Sequence, residues 1–147
     1  MDHAHQSKSC GADTSVVRLP THQQIEAFVN QHWEDVVADI AQLVSIPSTE
    51  DPSTASAQKP FGEAVDQALR CGMEIAVRLE LDAHSCDGYL AFADVPLSKL
   101  RSHAASDSCP RKQIATMAHL DVVPAGSGWD RDPFLLQRRD GYLVGRG

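Results

Sequence analysis

No apolar run in this 147-residue chain approaches the roughly 20 residues that a membrane-spanning helix needs. The first twenty residues also lack the hydrophobic stretch of a secretory signal. A membrane partner is therefore not expected. There is no C-x-x-C pair: Cys10, Cys71, Cys86 and Cys109 stand apart without regular spacing. That argues against a disulfide framework and for reduced thiols in the cytoplasm. Basic residues number 13 against 20 acidic ones, for a formal net charge of −7. Without a Lys/Arg stripe, nucleic acid is not an expected partner. Neither a phosphate-binding glycine loop nor an internal repeat is visible.

What is present suffices for a folded unit, since 42% of the residues are hydrophobic. Residues 1–19 are polar and aperiodic, so a mobile tail is expected, with His3 and His5 solvated in it. A helix should begin after Thr21, where Gln24 three residues on completes a T-x-x-Q capping box. Ile25, Phe28, Val29, Trp33, Val36, Val37, Ile40, Leu43 and Val44 then recur at spacings of three and four. This stripe, including Trp33, is expected in the core, with His22 and His32 facing solvent. Pro47 disfavours helical geometry at Ile46 and should end the helix.

Residues 47–60 are rich in Ser, Thr, Pro and Ala and read as a loop. A second amphipathic helix is expected from about Phe61 to Leu81, with Cys71 as a small core residue and Met73 filling a gap. His84 to Val95 reads as two extended pieces around Asp87-Gly88, His84 lying on the surface. Leu97 to Arg111 is Ser/Ala-rich and reads as a solvated connection, with Lys99, Arg101, Arg111 and Lys112 too scattered for an anion site. Near the end, Asp140-Gly141 between apolar arms signals a β-hairpin.

The most informative segment is Met117-Ala118-His119-Leu120-Asp121-Val122-Val123-Pro124-Ala125-Gly126. Ile114 to Ala118 reads as a short buried strand, and Pro124, Gly126 and Gly128 as the turn after it. Side chains alternate along extended backbone, so His119 and Asp121 should point the same way. Imidazole is a common zinc ligand, and a nearby carboxylate can fix its tautomer.

Taken with Trp129, Asp130, Asp132-Pro133-Phe134 and the run from Asp140 to Gly147, this segment resembles the M20 family of zinc aminoacylases and peptidases. The nearest likeness is to the dipeptidase branch, the dipeptidase V and Sapep-type enzymes. The resemblance covers Gln113 to Gly147 closely, residues 20–95 loosely, and residues 1–19 not at all.

The resemblance implies that residues 20–147 are the N-terminal portion of an α/β, phosphorylase/hydrolase-like catalytic domain, with helices packed on a mixed sheet containing the Gln113–Ala118 strand. It implies two zinc ions in the whole enzyme and a small peptide as substrate. His119 becomes a metal ligand, and Asp121 the catalytic residue that orients it. The family's bridging aspartate, its Glu-Glu pair and its remaining ligands are expected beyond Gly147. The chain is accordingly expected to be a fragment that is inactive alone. Deacylases and desuccinylases share the same motif, although Ala125-Gly126 and the tryptophan after Ser127-Gly128 lean toward a dipeptidase. A short binding protein derived from such an enzyme is the other alternative.

Overall fold

The computed structural model describes residues 19–96, 98 and 114–147. The expected tail, with His3 and His5, lies outside the described residues except for Leu19, and so does nearly all of the expected connection from Leu97 to Arg111. Helix α1 spans His22–Val44. The side chain of Thr21 accepts from the Gln24 amide while the Gln24 side chain accepts from the Thr21 amide, at 3.3 and 2.8 Å, so the predicted capping box closes both ways. The helix stops where Pro47 dictated, with Ser45 as C-cap.

The loop that follows contains a short 3-10 turn at Pro52–Thr54. Helix α2 spans Glu63–Arg78, two residues inside its expected start, because Gly62 takes φ 96° and cannot join the helix. The loop supplies the missing cap: the Thr54 hydroxyl accepts from the Glu63 amide at 3.0 Å. Glu63 and Asp66 in the first turn and Arg78 in the last complement the helix dipole.

Strands β1 (Asp82–Cys86) and β2 (Leu90–Asp94) form an antiparallel hairpin that packs on α2. Strands β3 (Gln137–Arg139) and β4 (Tyr142–Val144) form a second, separate hairpin. Among the described residues the architecture is thus a small α/β arrangement built on α1, α2 and two antiparallel ribbons. One mixed sheet was expected, and the described residues hold none. The strand expected over Ile114 to Ala118 is likewise absent, with Ile114 92% and Met117 100% exposed. A doubly buried strand exists only beside neighbours that take up its amides and carbonyls, and no described strand lies alongside this one.

The core is small: Ile46, Ala68 and Cys71 are buried, with Leu43, Ile75 and Leu120 packed against them. Burial raises the Cys71 thiol above its ordinary pKa, in keeping with an inert core residue. Only the C-terminal part of the α1 stripe is enclosed, at Val37 and Val44. Ile25, Phe28, Val29, Trp33 and Val36 are about half exposed or more, so the core position expected for Trp33 is not observed. The reason is geometric. Helix α2 meets α1 near Asp39, which pairs with Arg78, and β3 reaches the helix through Arg138 on exposed Glu34, so the apolar stripe before Val37 stays uncovered by the described elements. Met73 lines a groove instead of filling the core. Among the described residues, no helix is long and apolar enough to cross a membrane.

Candidate functional site

The His119 segment is held through the partly buried Leu120 and through the buried Ser48. Leu120 reaches into the core and lies over Gly72 of α2. A Cβ added to Gly72 would sit 2.8 Å from Leu120 Cδ1, so any larger residue at this helical position would have to displace the end of the Leu120 side chain. Opposite, Ser48 lies directly after the proline that ends α1 and is 1% exposed. Its hydroxyl donates to the Leu120 carbonyl at 2.7 Å, and its own carbonyl accepts from the Val122 amide at 3.0 Å.

With Leu120 turned inward, alternation turns His119 and Asp121 outward, as the sequence spacing predicts. The two are brought together. His119 Nδ1 lies 2.8 Å from the backbone carbonyl oxygen of Asp121 and 3.7 Å from its carboxylate Oδ1. The nearer partner is the carbonyl, whereas the sequence reading gave the orienting role to the carboxylate. Both side chains are open to solvent, at 81% and 64% exposure.

Ala118 to Asp121 form one wall of a groove of about 650 Å³, whose other walls come from α2 and the β1–β2 hairpin. Val65, Leu69 and Met73 give it an apolar floor, and Glu50 adds a carboxylate at its rim. Sequence reading did not single out Glu50, Ser48 or Gly72, because each acts through contacts made across the fold.

Beyond Asp121, Gly126 and Gly128 take φ 73° and 98°, which accounts for glycine in this turn. The turn is fastened at one oxygen: the Ala125 carbonyl accepts from Trp129 Nε1 at 2.9 Å and from Arg146 Nη2 at 3.1 Å. The Arg146 guanidinium stacks 5.3 Å from the centre of the Trp129 ring. Arg146 Nε is buried without a partner among the described residues. The G-R-G segment therefore serves as a clamp on the loop that follows the histidine.

The other described histidines are engaged elsewhere. His22 pairs with Glu26 at 3.3 Å, His32 lies 3.7 Å from Asp35, and His84 stacks on Phe92. Among the described residues, no group of three His, Cys, Asp or Glu side chains could hold a metal ion. Zinc in a catalytic site normally takes three protein ligands and a water. His119 and Asp121 alone do not complete such a site.

No family model matches the chain. Among individual proteins, it is 31% identical over 122 residues to "Putative dipeptidase YtjP" of Bacillus subtilis, covering 83% of this chain and 24% of that protein. It is 33% identical over 119 residues to "Putative dipeptidase SH1171" of Staphylococcus haemolyticus, covering 81% of this chain and 23% of that protein. It is also 30% identical over 113 residues to the Beta-Ala-Xaa dipeptidase of Lactobacillus delbrueckii, covering 76% of this chain and 22% of that protein. The chain is a relative of these dipeptidase-named proteins, and it spans no more than 24% of their length.

Proposed function

We propose that the chain carries the histidine–aspartate portion of a metallodipeptidase of the M20 type, with residues 20–147 contributing the first part of its α/β catalytic domain. One observation carries the assignment of the site. The Asp121 carbonyl occupies His119 Nδ1 and leaves Nε2 open to solvent for a metal ion. The dipeptidase names of the relatives favour a dipeptide as substrate over an acylated amino acid.

Zinc would supply Lewis acidity and a water of lowered pKa in the complete enzyme. This chain's residues do less. His119 offers one nitrogen, Asp121 holds the ring, and Arg146 with Trp129 fixes the loop beside them. The remaining ligands and the general base belong to the longer protein in this reading, as does the setting, a cytoplasm that keeps Cys71 and Cys86 reduced.

The test uses the chain both alone and continued to the length of its relatives. The continued protein, loaded with zinc, hydrolyses dipeptides, and His119→Ala removes nearly all of that activity together with metal. Asp121→Ala lowers activity about 10- to 100-fold while more metal stays bound. The 147-residue chain alone shows no turnover and only weak zinc binding by calorimetry, because one imidazole does not offset the entropy of ordering its surroundings. Full activity in both variants of the continued protein sinks the assignment.

A further inference from the structure

The two hydrogen bonds made by Ser48 straddle Asp121. One fixes the Leu120 carbonyl and the other the Val122 amide. The Val122 N–H and the Asp121 C=O belong to one planar trans peptide, so they point in opposite directions. With the N–H directed at Ser48, the C=O is directed away from it, and its oxygen meets His119 Nδ1 at 2.8 Å. A carbonyl oxygen only accepts. The contact therefore requires the proton on Nδ1 and leaves the lone pair on Nε2.

We propose that Ser48 is a positioning residue that selects the Nδ1–H tautomer of His119, and so presents Nε2 as the electron-pair donor toward a divalent cation. The purpose of that selection rests on the reading of His119 as a metal ligand; the selection itself does not. Ser48 suits the task because it is enclosed and anchored. It is 1% exposed and follows Pro47, and its amide is taken up by the Ile46 carbonyl at 2.8 Å. Competing water is kept from both of its bonds to the segment, so the peptide planes around Asp121 cannot rotate independently of the core. His119 itself is exposed, and the Asp121 carboxylate, 3.7 Å from the same nitrogen and beyond hydrogen-bond distance, favours the same tautomer more weakly.

The experiment is long-range proton–nitrogen NMR on the 147-residue chain with labelled histidine, without metal or substrate, at about pH 8, above the ordinary histidine range. In the unmodified chain His119 is mainly the Nδ1–H form. Ser48→Ala keeps the backbone carbonyl that takes up the Val122 amide and removes the hydroxyl's hold on the Leu120 carbonyl. With the segment loosened, the ratio of Nδ1–H to Nε2–H falls by about 2- to 12-fold, the span of one hydrogen bond of ordinary net strength. Ser48→Cys fills similar space with a weak donor and moves the ratio the same way, so it decides the matter if the alanine variant does not fold. Ser48→Thr keeps the hydroxyl and keeps the original ratio. An unchanged ratio in the cysteine variant, or a mainly Nε2–H His119 in the unmodified chain, overturns the proposal. An unchanged ratio leaves the dipeptidase reading standing, whereas a mainly Nε2–H His119 also removes the contact that carries its site; failure of that reading in the activity test leaves the tautomer measurement standing.

Discussion

Two hairpins in this molecule share the same Asp-Gly turn and are held in opposite ways. In the first, Asp87 and Gly88 take φ 49° and 75°; in the second, Asp140 and Gly141 take 52° and 82°. The turns are locally alike, and their surroundings are not. Gly88 is pressed against the 47–62 loop, where an added Cβ would lie 2.4 Å from the Gln58 carbonyl oxygen. Tyr89 beside it meets Phe61 edge-on at 5.6 Å. A Cβ added at Gly141 would meet nothing within 4 Å among the described residues. The second hairpin is instead tied to α1 through charge, with Arg138 forked onto both carboxylate oxygens of Glu34, one contact at 2.9 Å. Its far end packs Gly145 and Gly147 against Val44. A turn dipeptide sets the reversal of the chain, and packing decides what that reversal is worth.

The largest effect should come from Gly88→Ala. A left-handed non-glycine residue and a backbone collision act together there, for a loss of about 2–6 kcal/mol. Denaturant midpoints measure it, and a loss no greater than that of Gly141→Ala would break the contrast. Gly141→Ala meets only the conformational penalty, about 1–2 kcal/mol, since its new methyl points into open space.

The smallest effect concerns acid. Arg138 holds the Glu34 carboxyl below its ordinary value, chiefly through their hydrogen bonds. A carboxyl lowered by folding contributes above its unfolded pKa, and the contribution is lost as pH falls through the lowered folded value. Acidification below the usual glutamate range should therefore slightly loosen the tie between the second hairpin and α1. Both groups are exposed, so the effect shrinks in high salt. Unfolding midpoints followed against pH, with Glu34→Gln as the reference that has lost this dependence, give the measurement.

Features written in neighbouring residues were legible in the sequence. The Thr21–Gln24 box, the stop at Pro47 and both Asp-Gly turns use chemistry contained within four or five residues, and each is observed where it was read. The strand over Ile114 to Ala118 was not of that kind. Its apolar run is compatible with a strand, but a strand is completed by its neighbours, and none is described beside it. Trp33 fails for the same reason: the α1 stripe specifies a face to be covered without specifying what covers it. At the candidate site, the spacing of His119 and Asp121 placed both on one side. That the Asp121 carbonyl, and not its carboxylate, lies nearer the ring came from the peptide plane that Ser48 holds.

The bond between Ser48 and Leu120 joins residues 72 positions apart. Closing a loop grows costlier with its length, by about 0.6 kcal/mol per doubling for a flexible chain. The hairpins close across two or three residues and the helices across four, so each can form before any distant partner arrives. The histidine–aspartate segment has no such local route. Its closure is expected to follow that of α1, its proline stop and α2, and early loss of amide protection at Val122 relative to the helices is the measurement that checks it. The placement of His119 is thus expected to be lost at a gentler challenge than the helices and hairpins around it.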